Sequence, residues 1–328
     1  MPEDTALTET ATRVLTADAD AVAIAAKTLT DGGLVAFPTE TVYGLGADAA
    51  NGEAVARLYA AKGRPAFNPL IAHVATLELA HTLGRFSADA KKLARAFWPG
   101  PLTLVLPRQP DAPVSDLALA GLDSVALRMP AHPVARALLA AFDGAVVAPS
   151  ANRSGHVSPT DAAHVLTDLD GRVDLVLDGG PCSVGVESTI VSCLDAPTLL
   201  RPGGLARDEI ERVLGHPLAS SAETDDSAPL APGMLASHYA PRARIRLDAL
   251  APEPGEALLA FGPAPPGSGP VLNLSRRGDL VEAAANLFSH LRALDASGAR
   301  RIAVMTIPNE GLGEAINDRL ARAAAPKP

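Results

Sequence analysis

Two spacings of apolar residues alternate along this chain. Residues 19–31 carry Ala, Val, Ile and Leu at helical intervals, and Gly32-Gly33 stops the pattern. Residues 34–37 are a short apolar run cut off by Pro38, which predicts a buried strand. Helical spacing returns at 53–61 and 88–97, with strand patterns at 68–74 and 102–107. The segment SVALRMP (124–130) predicts a strand, 133–142 a helix, and GAVVAPS (144–150) a strand that runs into a polar loop. DLVLDGG (174–180) and STIVSCL (188–194) continue the sheet. Strands interleaved with helices are the pattern of a layered α/β domain.

The pattern changes after residue 207. Residues 216–243 are polar and rich in proline, with little periodicity, which reads as a linker. Beyond it, 243–250, 256–262, 270–275 and 300–307 predict strands, and 279–295 and 312–324 predict helices. The expected division is a first α/β domain over 15–207, a linker over 208–242, and a smaller α/β domain over 243–325.

Composition narrows the function. A chain of 328 residues fits two domains. It is 48% hydrophobic but only 3% aromatic, so Ala, Leu and Val must build the core. A net charge of -9 argues against a broad nucleic-acid footprint, while leaving room for a local basic pocket. Cys182 and Cys193 are too few for a zinc site or a disulfide scaffold and read as small buried residues in a reducing cytoplasm. The N-terminal stretch is acidic and lacks the apolar core of a signal peptide. No apolar run approaches the roughly 18 residues of a membrane span. A cytoplasmic protein with no membrane partner is expected.

The densest chemistry is in KGRPAFNPLIAH (62–73), which places Lys62, Arg64, Asn68 and His73 around Pro65 and Pro69. Two prolines rule out a regular helix there and stiffen the loop. A lysine beside an arginine suits a polyanion, although an isolated Lys-x-Arg is more often a solvated loop. The apolar residues that follow carry His73 inward, where by itself it reads as packing in the core. No G-x-x-x-x-G-K-[ST], H-E-x-x-H or G-x-S-x-G occurs. GLGADA (44–49) is a lone G-x-G-x-x-A without the acidic residue expected some twenty positions on, so a tight turn opening a helix is the alternative reading.

Polar residues recur where strands end. Thr39, Glu40, Thr41 and Tyr43 follow the first strand, and Arg128 closes SVALRMP. Ser150, Asn152, Ser154 and Ser158 follow VVAP, Glu187, Ser188 and Thr189 lie in GVESTI, and Arg201 lies in LLRPGG. Ligands of open α/β sheets settle outside the carboxyl ends of strands. Each residue alone could be a cap or a turn. Their recurrence predicts a site where cations and hydroxyls converge.

PTETVYGLG, K-x-R-P-x-x-N-P-L, WPGPLTLVL, VALRMP, APSANRSG, GVEST and LLRPGG, in this order, closely resemble the YrdC-like threonylcarbamoyl-AMP synthases over about residues 15–207. PGMLASHYAP and the tail resemble the long form of that family, which carries an extra Rossmann-like domain. The resemblance implies a layered YrdC-like domain with a twisted sheet. It implies synthesis of L-threonylcarbamoyl-AMP and pyrophosphate from L-threonine, bicarbonate and ATP; Mg²⁺ is expected on the phosphates, since metal bridging offsets their charge, and no protein side chain is predicted as its ligand. The product would feed threonylcarbamoylation of adenosine in tRNA through downstream modification proteins, with weak or no direct tRNA binding.

The family's Lys-Arg-Ser-Asn signature falls on Lys62, Arg64, Ser150 and Asn152. By the same resemblance ATP contacts fall on Arg64, Asn68, Ser124, Ser150, Ser158, Arg201 and Tyr239. Threonine contacts fall on Thr41, His73, Arg128, the Ala148 backbone and Ser188. One departure is the segment Leu235-Ala236-Ser237, which stands where the family's linker is basic and makes the transfer of Tyr239 less secure. The linker is expected to act as a lid, since Tyr239 has no evident core to join. Two rivals are an RNA-binding module, opposed by the net charge of -9, and a carbamoyl-phosphate-dependent transferase, opposed by the lack of zinc-finger and acylphosphatase segments.

Overall fold

Capping side chains mark where all but one of the described helices of the first domain begin. In this computed structural model, which describes residues 11–65, 67–220, 239–265 and 269–325, strand β1 (Arg13–Thr16) leads to helix α1 (Ala19–Thr30). Asp18 caps α1 by accepting from the Ala21 N–H at 2.8 Å. Strand β2 (Val35–Phe37) is met antiparallel by β3 (Gly44–Asp48). Asn51 caps α2 (Gly52–Lys62), which stops at Gly63 with φ 59°. Then come β4 (Ile71–His73), α3 (Leu77–Leu83), α4 (Ala88–Phe97) and β5 (Leu102–Pro107), with Thr76 and Ser87 as the helix caps. Short α5 (Asp116–Leu119) and β6 (Ser124–Arg128) precede α6 (Pro133–Phe142), whose proline sits at the helix start where its missing N–H costs nothing. Strand β7 (Val146–Val147), α7 (Ala162–Leu169), β8 (Leu175–Asp178), β9 (Thr189–Ser192), β10 (Thr198–Arg201), α8 (Arg207–Leu214) and β11 (Ala219–Ser220) complete the first domain.

Eleven strands among the described residues form one mixed sheet in the order β1-β8-β2-β3-β7-β4-β6-β5-β9-β10-β11. One apolar core gathers Leu45, Leu58, Leu83, Leu93, Leu104 and Leu127. Another packs α1 and α6 against Val35, Val146 and Leu175. Small aliphatic side chains fill both, as the scarcity of aromatics requires.

Two expectations are corrected here. The boundary at residue 207 falls inside a folded segment. Residue 208 lies in α8, whose Ile210 and Leu214 are buried, which packs on α4 and is followed by β11 paired in parallel with β10. Residues 208–220 therefore extend the first domain rather than open the linker. GLGADA is neither a nucleotide loop nor a turn into a helix. It is strand β3, and Gly46 is needed because an added Cβ would meet Phe37 at 2.9 Å and Val146 at 3.0 Å.

The second domain has strands β12 (Arg244–Arg246), β13 (Ala257–Ala260), β14 (Val271–Asn273) and β15 (Arg301–Val304), with helices α9 (Leu280–Ala296) and α10 (Leu312–Ala324). All four strands are parallel, in the order β12-β15-β13-β14. A shared core joins the domains. Val42, Val157 and Val186 of the first domain pack with Phe288, Leu291 and Ile316 of the second. At Gly185, with φ +79°, an added Cβ would lie 2.4 Å from the Ala284 carbonyl, so the α9 backbone rests directly on this glycine.

Candidate active site

Strand register lays out the floor of the site. Strands β4, β6, β5 and β9 lie side by side, pairing His73 with Arg128, Arg128 with Thr103, and Thr103 with Ile190. Two residues back, Ile71 pairs with Ala126 and Ala126 with Val105. Side chains alternate across a strand, so both rows share one face. The first row is polar at Arg128, His73 and Thr103. The second contributes Ile71, Ala126 and Val105 to a small apolar cluster with Ile190 and Leu200. Ser124 shares the face of Ala126 and Arg128 at the other end of β6, about 13 Å from Arg128 at the usual rise per residue.

Arg128 is buried and already oriented. Its Nη2 donates to Glu40 Oε1 at 2.6 Å, and Glu40 Oε2 accepts from the Ala131 N–H at 3.0 Å. Burial pushes the Glu40 carboxyl up, and Arg128 beside it overrides this, leaving it below the ordinary carboxylate value. His73 is 2% exposed, with Nδ1 3.2 Å from the Ile71 carbonyl. Burial, and then the charge of Arg128, push its pKa down to about 3, so the ring is neutral at physiological pH. Thr41 Oγ1 lies 2.8 Å from Thr39 Oγ1. Ser188 Oγ lies 2.8 Å from Thr103 Oγ1 and accepts from Arg201 at 3.2 Å. The Ala148 N–H is taken by the Ile71 carbonyl, so a backbone contact there falls to the Ala148 carbonyl.

Lys62, from the last turn of α2, donates to the carbonyls of Ser150 and Asn152. It is 3% exposed and braces that loop from behind. Burial, and then nearby Arg64, hold its amine well below the ordinary lysine value. Arg64 Nη2 donates to the carbonyls of Asn68 and Pro69 at 3.3 and 3.2 Å. Asn152 donates to the carbonyls of Arg153 and His156. Arg201 donates to the Ser188 carbonyl at 2.8 Å.

These groups surround one cavity. Thr41, Arg64, His73, Arg128, Ala148, Ser150, Ser188, Arg201 and Tyr239 line it, together with Val42, Ile71, Pro149 and Glu187. Lys62, Asn68, Asn152 and Ser158 stand behind that wall, and Ser124 lies further along the floor. Four buried polar atoms here have no hydrogen-bond partner among the described residues: Nε of Arg64 and Arg128, and Oδ1 of Asn68 and Asn152. The cavity holds only about 40 Å³, against roughly 300–1,000 Å³ for a small-molecule pocket.

Tyr239 corrects an expectation. It is 1% exposed and joins the interdomain core, its ring stacked on Phe288 at 5.6 Å between centroids. Residues 221–238 of the expected lid, including Leu235-Ala236-Ser237, lie outside the described residues. Glu40 and Glu187 have no role legible from the sequence, and nothing in their motifs marks Thr103 or Ile71 as part of the site. The cysteines are buried as expected, their thiols pushed up to about 12 by burial first.

A family model described as telomere recombination, covering Sua5, YciO and YrdC, matches residues 27–203. A second, for the threonylcarbamoyl-AMP synthase C-terminal domain, matches residues 205–325. The Bacillus subtilis threonylcarbamoyl-AMP synthase is 44% identical over 321 residues, 92% of each chain. That of Pyrococcus abyssi is 42% identical over 92% of this chain and 94% of its own. A crystal structure of P. abyssi Sua5 complexed with L-threonine superposes with a TM-score of 0.87 at 38% identity, covering 96% of this chain and 97% of that one. With both parts matched and the relatives covered almost end to end, the chain belongs to the threonylcarbamoyl-AMP synthase family.

Proposed function

We propose that the cavity joins L-threonine, bicarbonate and ATP into L-threonylcarbamoyl-AMP, releasing pyrophosphate, for the threonylcarbamoylation of adenosine in tRNA. The observation that carries this reading is the set of buried polar atoms without partners on Arg64, Asn68, Arg128 and Asn152. Each costs about 1–3 kcal/mol when unsatisfied. Two cationic donors lining the cavity and two amide acceptors just behind its wall suit a ligand that is anionic and also carries N–H or O–H groups, as threonine and ATP do.

The threonine amine adds to bicarbonate with loss of water, giving a carbamate. A carbamate oxygen then attacks the α-phosphorus, and pyrophosphate leaves. The work of the protein is positioning and charge neutralisation. Arg128, held by Glu40, offers its remaining donors to the threonine carboxylate. Neutral His73 serves as a hydrogen-bonding partner without adding a second cation there. Thr41, Ser188 and the Ala148 carbonyl complete the threonine end. Arg64, Arg201 and Ser150 face the phosphates, backed by Asn68 and Ser158. Lys62 acts through the loop it braces. The apolar strip of Ile71, Ala126 and Val105 suits the flat face of the adenine, with Ser124 at its far end.

The donor set fits Mg²⁺ carried by the triphosphate. Glu40 and Glu187 are both engaged by arginines, and no three His, Cys, Asp or Glu side chains among the described residues form a metal cage. Mg²⁺ would bind phosphate oxygens and water and offset their charge. The product would pass to the proteins that complete the tRNA modification. The cytoplasm is the compartment this reading implies, and no helix among the described residues is long and apolar enough to cross a membrane.

A cavity of about 40 Å³ must open to admit ATP, and residues 221–238, over which a lid is expected, lie outside the described residues. Pyrophosphate release, assayed with each substrate omitted in turn, tests the reading. Release should require ATP, threonine and bicarbonate together. Release of orthophosphate instead, or release independent of threonine, would overturn it.

A further inference from the structure

Two arginines of the second domain reach into the first. Arg319, on α10, is fully buried at 0% exposure. Its Nε donates to Glu187 Oε2 at 2.7 Å, its Nη2 to the Pro202 carbonyl at 3.0 Å, and its Nη1 to Asp318 at 2.5 Å. Its Cζ lies 5.1 Å from the centre of the Tyr239 ring. Glu187 lines the cavity, and its other oxygen, Oε1, accepts from Ser158 Oγ at 2.5 Å. Arg292, on α9, donates to the carbonyl of Val157, lies 3.5 Å from that of Ser158, and pairs with Asp168 at 2.8 Å.

This arrangement is more than domain adhesion. The shared apolar core around Phe288 already joins the domains. Burying a whole guanidinium is costly unless a charge requires it. Two carboxylates meet it: Asp318, its neighbour on α10, and, across the domain boundary, Glu187 in the wall of a cavity read as the seat of a triphosphate. Left unpaired, Glu187 would repel that ligand. Its use is to fix the Ser158 hydroxyl.

We propose that Arg319 is a positioning residue for the nucleotide: it cancels the charge of Glu187 at the cavity wall, fixes Ser158 through Glu187, and holds the ring of Tyr239. The second domain is thereby a working part of the active site. This rests on the reading of the cavity as an ATP and threonine site.

The test is calorimetric binding of ATP and, separately, of L-threonine to the full-length protein. Wild type is compared with Arg319→Met, Glu187→Gln and the double variant, each with its melting temperature. Arg319→Met should weaken ATP binding about tenfold or more and leave threonine within about twofold. The double variant should recover most of the loss, because the Glu187 charge is gone from the cavity wall while Asp318 keeps Arg322 as its partner; a structural role would make the two losses add. Equal losses for both ligands, additive losses, or unchanged ATP binding would overturn the inference. If Arg319→Met does not fold, Glu187→Gln alone decides. It removes the charge while keeping an acceptor for Ser158, so ATP binding should tighten, and weakened binding would overturn the inference. A wild-type protein that binds neither ligand overturns the underlying reading, and this inference with it.

Discussion

Glu40 and Arg128 form an ion pair of 2.6 Å, with side chains 9% and 5% exposed. The cation assigned to the threonine carboxylate is thus held ready by a second carboxylate. Arg128 keeps the Nε donor that lacks a protein partner, so pairing with Glu40 orients it without using it up.

Glu40→Ala should loosen Arg128 and leave a buried cation unpaired. Breaking such a pair costs roughly 3 kcal/mol of stability. The melting temperature should fall, and the KM for threonine should rise well above that for ATP. Equal effects on the two KM values would detach Glu40 from the threonine end.

Arg64→Ala and Arg128→Ala should each cut turnover on the order of 100-fold, the loss of roughly 3 kcal/mol expected when a preorganised charge is removed, and Lys62→Ala should cut it sharply by releasing the loop it braces. Arg64→Ala should act mainly on ATP and Arg128→Ala mainly on threonine. Lys62→Ala should act through the Ser150 and Asn152 carbonyls it holds. Steady-state kinetics with both substrates varied, alongside circular dichroism, checks this. Near-wild-type kinetics for all three would move the site elsewhere.

His73 should stay neutral from pH 8 to pH 5, since its pKa is pushed down to about 3. An NMR titration should show no change in its ring signals over that range. In the unfolded chain the ring takes up a proton near its ordinary value of 6.5. Stability from its burial is therefore present above that pH and lost as pH falls below it toward 3. His73→Gln should flatten the dependence of unfolding free energy on pH between 7.5 and 5. An unchanged slope would count against a buried neutral ring.

Proteolysis between residues 220 and 240 should slow when ATP and threonine are both present. Tyr239→Ala should also destabilise the fold by roughly 3 kcal/mol, because the ring is packed in the interdomain core. Tyr239→Phe keeps the packing and isolates the hydroxyl. Cleavage rates indifferent to ligand, with normal kinetics for Tyr239→Phe, would leave the segment as a spacer.

Gly185→Val should part the two domains, since α9 backbone atoms lie 2.4–2.7 Å from any added Cβ. A lower melting temperature and faster proteolysis are expected. A variant as stable as wild type would show that α9 can shift at no cost.

The order of motifs in the chain was enough to identify the family, and the alternation of apolar runs was enough to place most strands and helices. Helices 88–97 and 133–142 and strand 102–107 match α4, α6 and β5 residue for residue, because each carries its own pattern and a cap or a proline at its start. Short elements such as α5, α7, β1 and β10 were not legible, since two turns or four residues carry too little periodicity. Helix α8 was taken for linker because its charged residues hide a stripe of only Ile210 and Leu214. The residues that touch ligand by resemblance could be named from their motifs, and Thr41, Arg64, His73, Arg128 and Arg201 do meet at one cavity. Their partners could not. Glu40 meets Arg128 across 88 positions, and Glu187 meets Arg319 across 132. Periodicity records which face of its own element a residue occupies. It holds nothing about which distant element will lie opposite, and at this site that opposite charge decides what each side chain can still offer a ligand.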